Sequence, residues 1–178
     1  ATEYGTLYTL AELEAIRKVC TKYDMPLFID GARLGAALYS PVCDYTLADM
    51  AHMCDVFTIG GTKMGLLFGE AAVFSAPELA KDFRYFVKQN GGMLAKGRLL
   101  GLQFDVLSTD GLYQEISAHA IAMAEKLREA FTAKGYNYLA PNRTNQIFVI
   151  VPDAHLAKIS EQFEYSYDQR IDATHSCV

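Results

Sequence analysis

Leu10, Leu13, Ile16, Cys20 and Tyr23 recur at the spacing of one helix face. Thr9-Leu10-Ala11-Glu12 has the form of a capping box, in which hydroxyl and carboxylate each satisfy an orphan amide. The predicted helix stops near Asp24, because Pro26 disfavours the helical conformation at Met25. Leu27-Phe28-Ile29 follows as an unbroken apolar run, which suits a strand buried on both faces of a parallel sheet. The alternation repeats: a helix over roughly 47–54, the strand Val56-Phe57-Thr58-Ile59, and the breaker Gly60-Gly61. A third run, Ala71 to Phe74, leads into Ser75-Ala76-Pro77-Glu78, a second capping-box pattern with proline in the first turn. Strands alternating with helices imply an α/β layered domain.

Gly91-Gly92 precedes a helix predicted from about Leu94 to Leu107, and Thr109-Asp110-Gly111 reads as a turn and domain junction. Tyr113, Ile116, Ala120, Met123, Leu127 and Ala130 form the most regular amphipathic stripe, closed by Gly135. Strands are predicted at 136–139 and 147–151, a short helix near 155–161 and a strand-like segment at 165–169. The division expected is therefore 1–110 and 111–178, the second part a small α+β module. Three strands are few for a sheet covered on both faces. The chain also ends on Ser176-Cys177-Val178 without a closing element, so a piece of a longer protein is expected.

Length and charge narrow the classes. A chain of 178 residues holds one domain or one and a half. With 51% hydrophobic and 21% charged residues it forms a core, which excludes intrinsic disorder. No window approaches 18 uncharged apolar residues, so no membrane partner is expected. A net charge of -5 argues against a nucleic-acid partner. Cys20, Cys43, Cys54 and Cys177 form no CxxC pair and are expected as free thiols in a reducing, cytoplasmic setting. No secretory signal opens the sequence. His52, His119, His155 and His175 are scattered; only His175-x-Cys177 comes close to a ligand pair, at an end expected to fray, so no metal is expected.

Ligands of open parallel sheets collect beyond the carboxyl ends of the strands. Asp30, in Asp30-Gly31-Ala32-Arg33, directly follows the first predicted strand; Lys63, in Gly60-Gly61-Thr62-Lys63, follows the second. If the strands are parallel, both emerge at one edge. A carboxylate and an amine so placed match what pyridoxal phosphate requires: a lysine for the Schiff base and an acid for the protonated pyridine nitrogen. Thr62 offers a hydroxyl to a phosphate oxygen, and Arg33 a planar fork to a substrate carboxylate. The same residues also read as a turn aspartate and a solvated loop lysine. A phosphate-loop ATPase fits less well, because Gly61-Thr62-Lys63-Met64 lacks the Gly-Lys-Ser/Thr order.

Three segments together carry a resemblance: Ile29-Asp30-Gly31-Ala32-Arg33-Leu34, Cys54 through Gly65, and Gly91-Gly92-Met93. From about Thr2 to Val151, including Thr144-Asn145-Gln146-Ile147-Phe148-Val149, the sequence resembles the low-specificity threonine aldolases, fold-type-I pyridoxal-phosphate enzymes of the β-eliminating-lyase group. The resemblance implies an α/β fold: the C-terminal part of a large cofactor domain, its sheet mostly parallel with flanking helices, and a small α+β domain. It implies that Lys63 carries the cofactor, Asp30 pairs with its ring nitrogen and Arg33 helps bind the amino-acid carboxylate. The implied reaction is retro-aldol cleavage of threonine or allo-threonine to glycine and an aldehyde, in a homo-oligomer (dimer or tetramer). Another β-eliminating lyase, an aminotransferase, or a catalytically incomplete fragment of such an enzyme are the alternatives. The arginine that usually follows Gly-Gly-Met is here Leu94, for which Lys88, Lys96 or Arg98 are candidate substitutes.

Overall fold

The computed structural model describes residues 1–178, and its first helix begins where the capping box predicts. In α1 (Leu10–Lys22) the Thr9 hydroxyl accepts from the Glu12 amide at 3.3 Å and the Glu12 carboxylate accepts from the Thr9 amide at 2.8 Å. Tyr23 caps its end, and Asp24 turns the chain at φ +53° before Pro26. Then come β1 (Phe28–Ile29), α2 (Leu34–Leu38), α3 (Leu47–Met53) and β2 (Val56–Gly60). A second working capping box, Thr46 with Asp49, starts α3.

β1 pairs parallel with β2, setting Phe28 against Val56 and Ile29 against Phe57. The expectation of a strand buried on both faces is corrected. Phe57 lies in the core with Leu13, Leu34, Met50 and Cys54, and Leu27, Ile29 and Ile59 pack against it. Phe28 points to the other face and is 58% exposed. The expectation of a mostly parallel sheet is corrected too. β3 (Glu70–Phe74) pairs antiparallel with β2, making a mixed sheet of order β1-β2-β3. Residues 61–69 are too few for the crossover a parallel neighbour requires.

A 3-10 turn, Pro77–Ala80, follows with proline at its start. Ser75 does not cap it: Ala76 occupies the cap position, and both amides donate to the Asp55 carbonyl. α4 (Phe83–Gln89) is entered through Asp82 at φ +61°, and α5 (Arg98–Ser108) starts after Gly97, later than the apolar pattern suggested. α6 (Leu112–Ala133) ends ahead of Gly135, whose φ is +80°. Its buried positions are Ser117, Ile121 and Ala124; Met123 and Leu127, expected on the inner face, are exposed.

The remaining elements are β4 (Asn137–Tyr138), β5 (Val149–Pro152), α7 (Asp153–Ser160), β6 (Gln169–Arg170) and β7 (His175–Cys177). They form an antiparallel sheet of order β4-β5-β7-β6. The frayed end is corrected: β7 is a central strand, with Ser176 and Cys177 at 1% and 0% exposure. Only Gln169 of the expected strand 165–169 lies in β6.

Two compact units result, residues 8–118 and residues 1–7 with 119–178, so the boundary falls inside α6 rather than at residue 110. The first residues join the C-terminal unit because Asn142 Nδ2 donates to the Tyr4 carbonyl (2.7 Å) and the Thr144 hydroxyl to the Gly5 carbonyl (2.9 Å). Cys20, Cys54 and Cys177 are buried thiols and Cys43 is half-buried. No helix is long and apolar enough to cross a membrane.

Candidate active site

β1 delivers its chain end to Asp30, and β2 delivers its own to a short 3-10 turn, Thr62–Met64, that carries Lys63. Because the two strands run parallel, both turns leave the same end of the sheet. Backbone contacts lock them together. Gly31 N–H donates to Thr58 Oγ1 (2.8 Å), and Gly60 N–H donates to the Gly31 carbonyl (3.0 Å). A Cβ on Gly31 would lie 1.7 Å from the Thr58 carbonyl oxygen, and one on Gly60 2.4 Å from that of Ala32. Only glycine permits so close an approach at either position.

The Asp30 carboxylate accepts from the Ala32 amide at 2.9 Å, an Asx turn that orients it locally. Asp30, Thr62 and Lys63 are exposed and Arg33, at the start of α2, is half-buried. Neither Lys63 nor Arg33 lies within ion-pair distance of a carboxylate, so the arrangement is not a direct Asp30–Lys63 salt bridge. Lys88, Lys96 and Arg98 are exposed, and no hydrogen bond or ion pair joins them to either turn.

The Lys63 turn is pinned from below and on both flanks. Met64 is 2% exposed, and its sulfur would meet a Cβ on Gly35 of α2 at 2.5 Å. Ser117 Oγ lies 3.3 Å from that sulfur while donating to the Tyr113 carbonyl at 2.7 Å. The Tyr113 hydroxyl is buried beside Gly35, and this burial, with a smaller contribution from Tyr39, pushes its pKa up to about 12. The amides of Met64 and Leu66 both donate to the Gly61 carbonyl, and Gly65 reverses the chain at φ +94°.

At the opposite end of β1 and β2, Asp55 accepts from the Leu27 amide (2.7 Å) and pairs with Arg17. The Arg17 hydrogen bond, and next the Leu27 amide, hold the Asp55 carboxyl below the usual range. Asp55 thereby fixes the start of the strand pair whose ends carry the candidate residues. Two contributors were not legible as such in the sequence. Thr58 reads as an ordinary strand residue, and Gly60 as a strand terminator; the one available signal was a hydroxyl within an otherwise apolar run.

The beta-eliminating lyase family matches residues 1–154 of this chain. The low specificity L-threonine aldolase of Pseudomonas sp. (strain NCIMB 10558) is 34% identical over 150 residues, 84% of this chain and 43% of that protein. The low specificity L-threonine aldolase of Saccharomyces cerevisiae is 28% identical over 157 residues, 87% of this chain and 39% of that protein. The solved threonine aldolase of Leishmania major superposes with a TM-score of 0.96 at 41% identity, covering 99% of this chain and 52% of that one. The chain thus spans about half the length, or less, of the relatives it matches.

Proposed function

Because the chain belongs to the beta-eliminating lyase family, whose members depend on pyridoxal phosphate, we propose that it carries part of the active site of an aldehyde-lyase. The substrate is a β-hydroxy-α-amino acid such as threonine or allo-threonine, cleaved to glycine and an aldehyde. In this reading Lys63 holds the cofactor through Nζ, Asp30 its ring nitrogen, and Thr62 a phosphate oxygen, while Arg33 binds the substrate carboxylate. The observation that carries it is the parallel β1–β2 pair with its glycine-locked turns, which sends a carboxylate and an amine out of one sheet end.

The donor set fits the cofactor chemically. When bound, pyridoxal phosphate supplies a conjugated ring that accepts the electron pair released as Cα–Cβ breaks. The Asp30 carboxyl group, held in orientation by the Ala32 amide, retains acceptor capacity and would hold the protonated ring nitrogen. Lys63 is exposed and makes no ion pair, so its Nζ is open to a cofactor aldehyde. Arg33 would hold the substrate carboxylate through its planar fork and so fix the orientation of the substrate's α-carbon.

The relatives' names favour aldol cleavage over elimination or transamination. Product analysis with threonine tests it. Glycine plus acetaldehyde is expected, whereas ammonia plus a keto acid would replace this reading with a different lyase or a transaminase. A homo-oligomer in the cytoplasm completes the proposal. Exposed Leu67, Tyr85 and Phe86 supply apolar surface for association, and the unpaired thiols suit a reducing compartment.

A further inference from the structure

We propose that Thr58 is a positioning residue for Asp30, acting through the Gly31 amide; the inference rests on the assignment of Asp30 and Lys63 above. The β1–β2 ladder pairs Ile29 with Phe57 and then stops, because β1 gives way to the turn Asp30–Arg33. A chain that leaves a parallel ladder leaves the next amide without its strand partner. Here that amide belongs to buried Gly31, and it donates to Thr58 Oγ1 at 2.8 Å. The Gly31 carbonyl is held in turn by the amides of Gly60 (3.0 Å) and Leu34 (2.9 Å). Asp30 spends one carboxylate oxygen on the Ala32 amide at 2.9 Å.

The peptide groups that follow Asp30 are thus fixed, and their direction sets where its carboxylate faces. Of these bonds, the one from Thr58 is the only one that a side chain outside the turn supplies. Thr58 lies on the face of β2 opposite Phe57, so its hydroxyl plays no part in the core. Valine at this position keeps the branched shape and strand preference but offers no acceptor. Serine keeps the acceptor and loses the methyl group.

The test compares Thr58→Val and Thr58→Ser with the parent in two measurements. The first is hydrogen exchange of the Gly31 amide in cofactor-free protein; the second is pyridoxal phosphate affinity, titrated by visible absorbance. Loss of the acceptor for a buried amide predicts about tenfold faster exchange and about tenfold weaker cofactor binding in the valine variant, with both restored by serine. Faster exchange with unchanged cofactor affinity would overturn the proposal, since Thr58 would then serve the turn alone. A serine variant as impaired as valine would overturn it by placing the effect in the methyl group. A parent that takes up no cofactor would overturn the assignment of the site and this role with it, a result distinct from a competent parent with an indifferent variant.

Discussion

Replacing Gly31 by alanine attacks the contact that joins the two turns. The new Cβ would sit 1.7 Å from the Thr58 carbonyl oxygen and 2.8 Å from its carbon. Both are backbone atoms of a central strand and cannot rotate away, so the turn must withdraw from β2 by more than about one ångström, since real Cβ atoms do not approach within 3.0 Å. That movement breaks the bond from Gly31 N–H to Thr58 Oγ1 and the bond from Gly60 N–H to the Gly31 carbonyl. Each buried donor left without an acceptor costs about 1–3 kcal/mol, so the pair costs about 2–6 kcal/mol. A protein with a total stability of roughly 5–15 kcal/mol feels that as a large fraction. Urea denaturation of the cofactor-free protein, followed by far-UV circular dichroism, should show the midpoint falling accordingly. A variant within about 0.5 kcal/mol of the parent, a change typical of an ordinary surface site, would mean that the Gly31–Thr58 contact does not hold the two turns together.

Gly101→Ala is the matched control: it lies inside α5 with nothing within 4 Å of the added Cβ, and should raise stability by about 0.5–1 kcal/mol in the same assay. A loss there would indict the glycine argument as a whole. Asp55→Asn tests the opposite end of the strand pair. The native carboxyl is depressed, so its stabilisation is present above the unfolded-chain value near ~3.9 and fades as pH falls through the native value. The urea midpoints of parent and variant should therefore differ at pH 7 and converge toward pH 2; a constant gap contradicts the ion-pair account. Arg33→Ala should raise KM for threonine on the order of 10–100-fold while leaving the visible cofactor absorbance in place. Loss of that absorbance would move Arg33 from substrate to cofactor.

The parts of the fold that could be read from the sequence are those stabilised locally. Thr9 with Glu12 announces α1, and Pro26 behind Asp24 its end, because capping and proline sterics act within a few residues. α2 was missed: its residues Leu34–Leu38 follow Arg33 with no side-chain cap, and the helix is held by packing at Gly35 and Met64, distant in sequence. The direction of β3 was illegible, since a parallel and an antiparallel strand share a period of two; the length of the 61–69 connection decides it. β7 was missed because His175-Ser176-Cys177 has no apolar alternation, yet it is central to its sheet and Ser176 is satisfied by Asp153 at 2.8 Å. At the candidate site, Asp30 and Lys63 stood out because charges at strand ends are chemically conspicuous. Thr58 did not, because its importance comes from an amide that only the folded turn brings to it.

In the proposed site Lys63, and no other lysine of this chain, holds the cofactor aldehyde. Reduction of the pyridoxal-phosphate-loaded protein with borohydride, followed by proteolysis and peptide mass spectrometry, tests it directly. A phosphopyridoxyl group is expected on the peptide containing Gly60-Gly61-Thr62-Lys63, and its disappearance in Lys63→Ala. The same group found on Lys81, Lys88 or Lys96 of the native protein, with the Lys63 peptide unmodified, would contradict it.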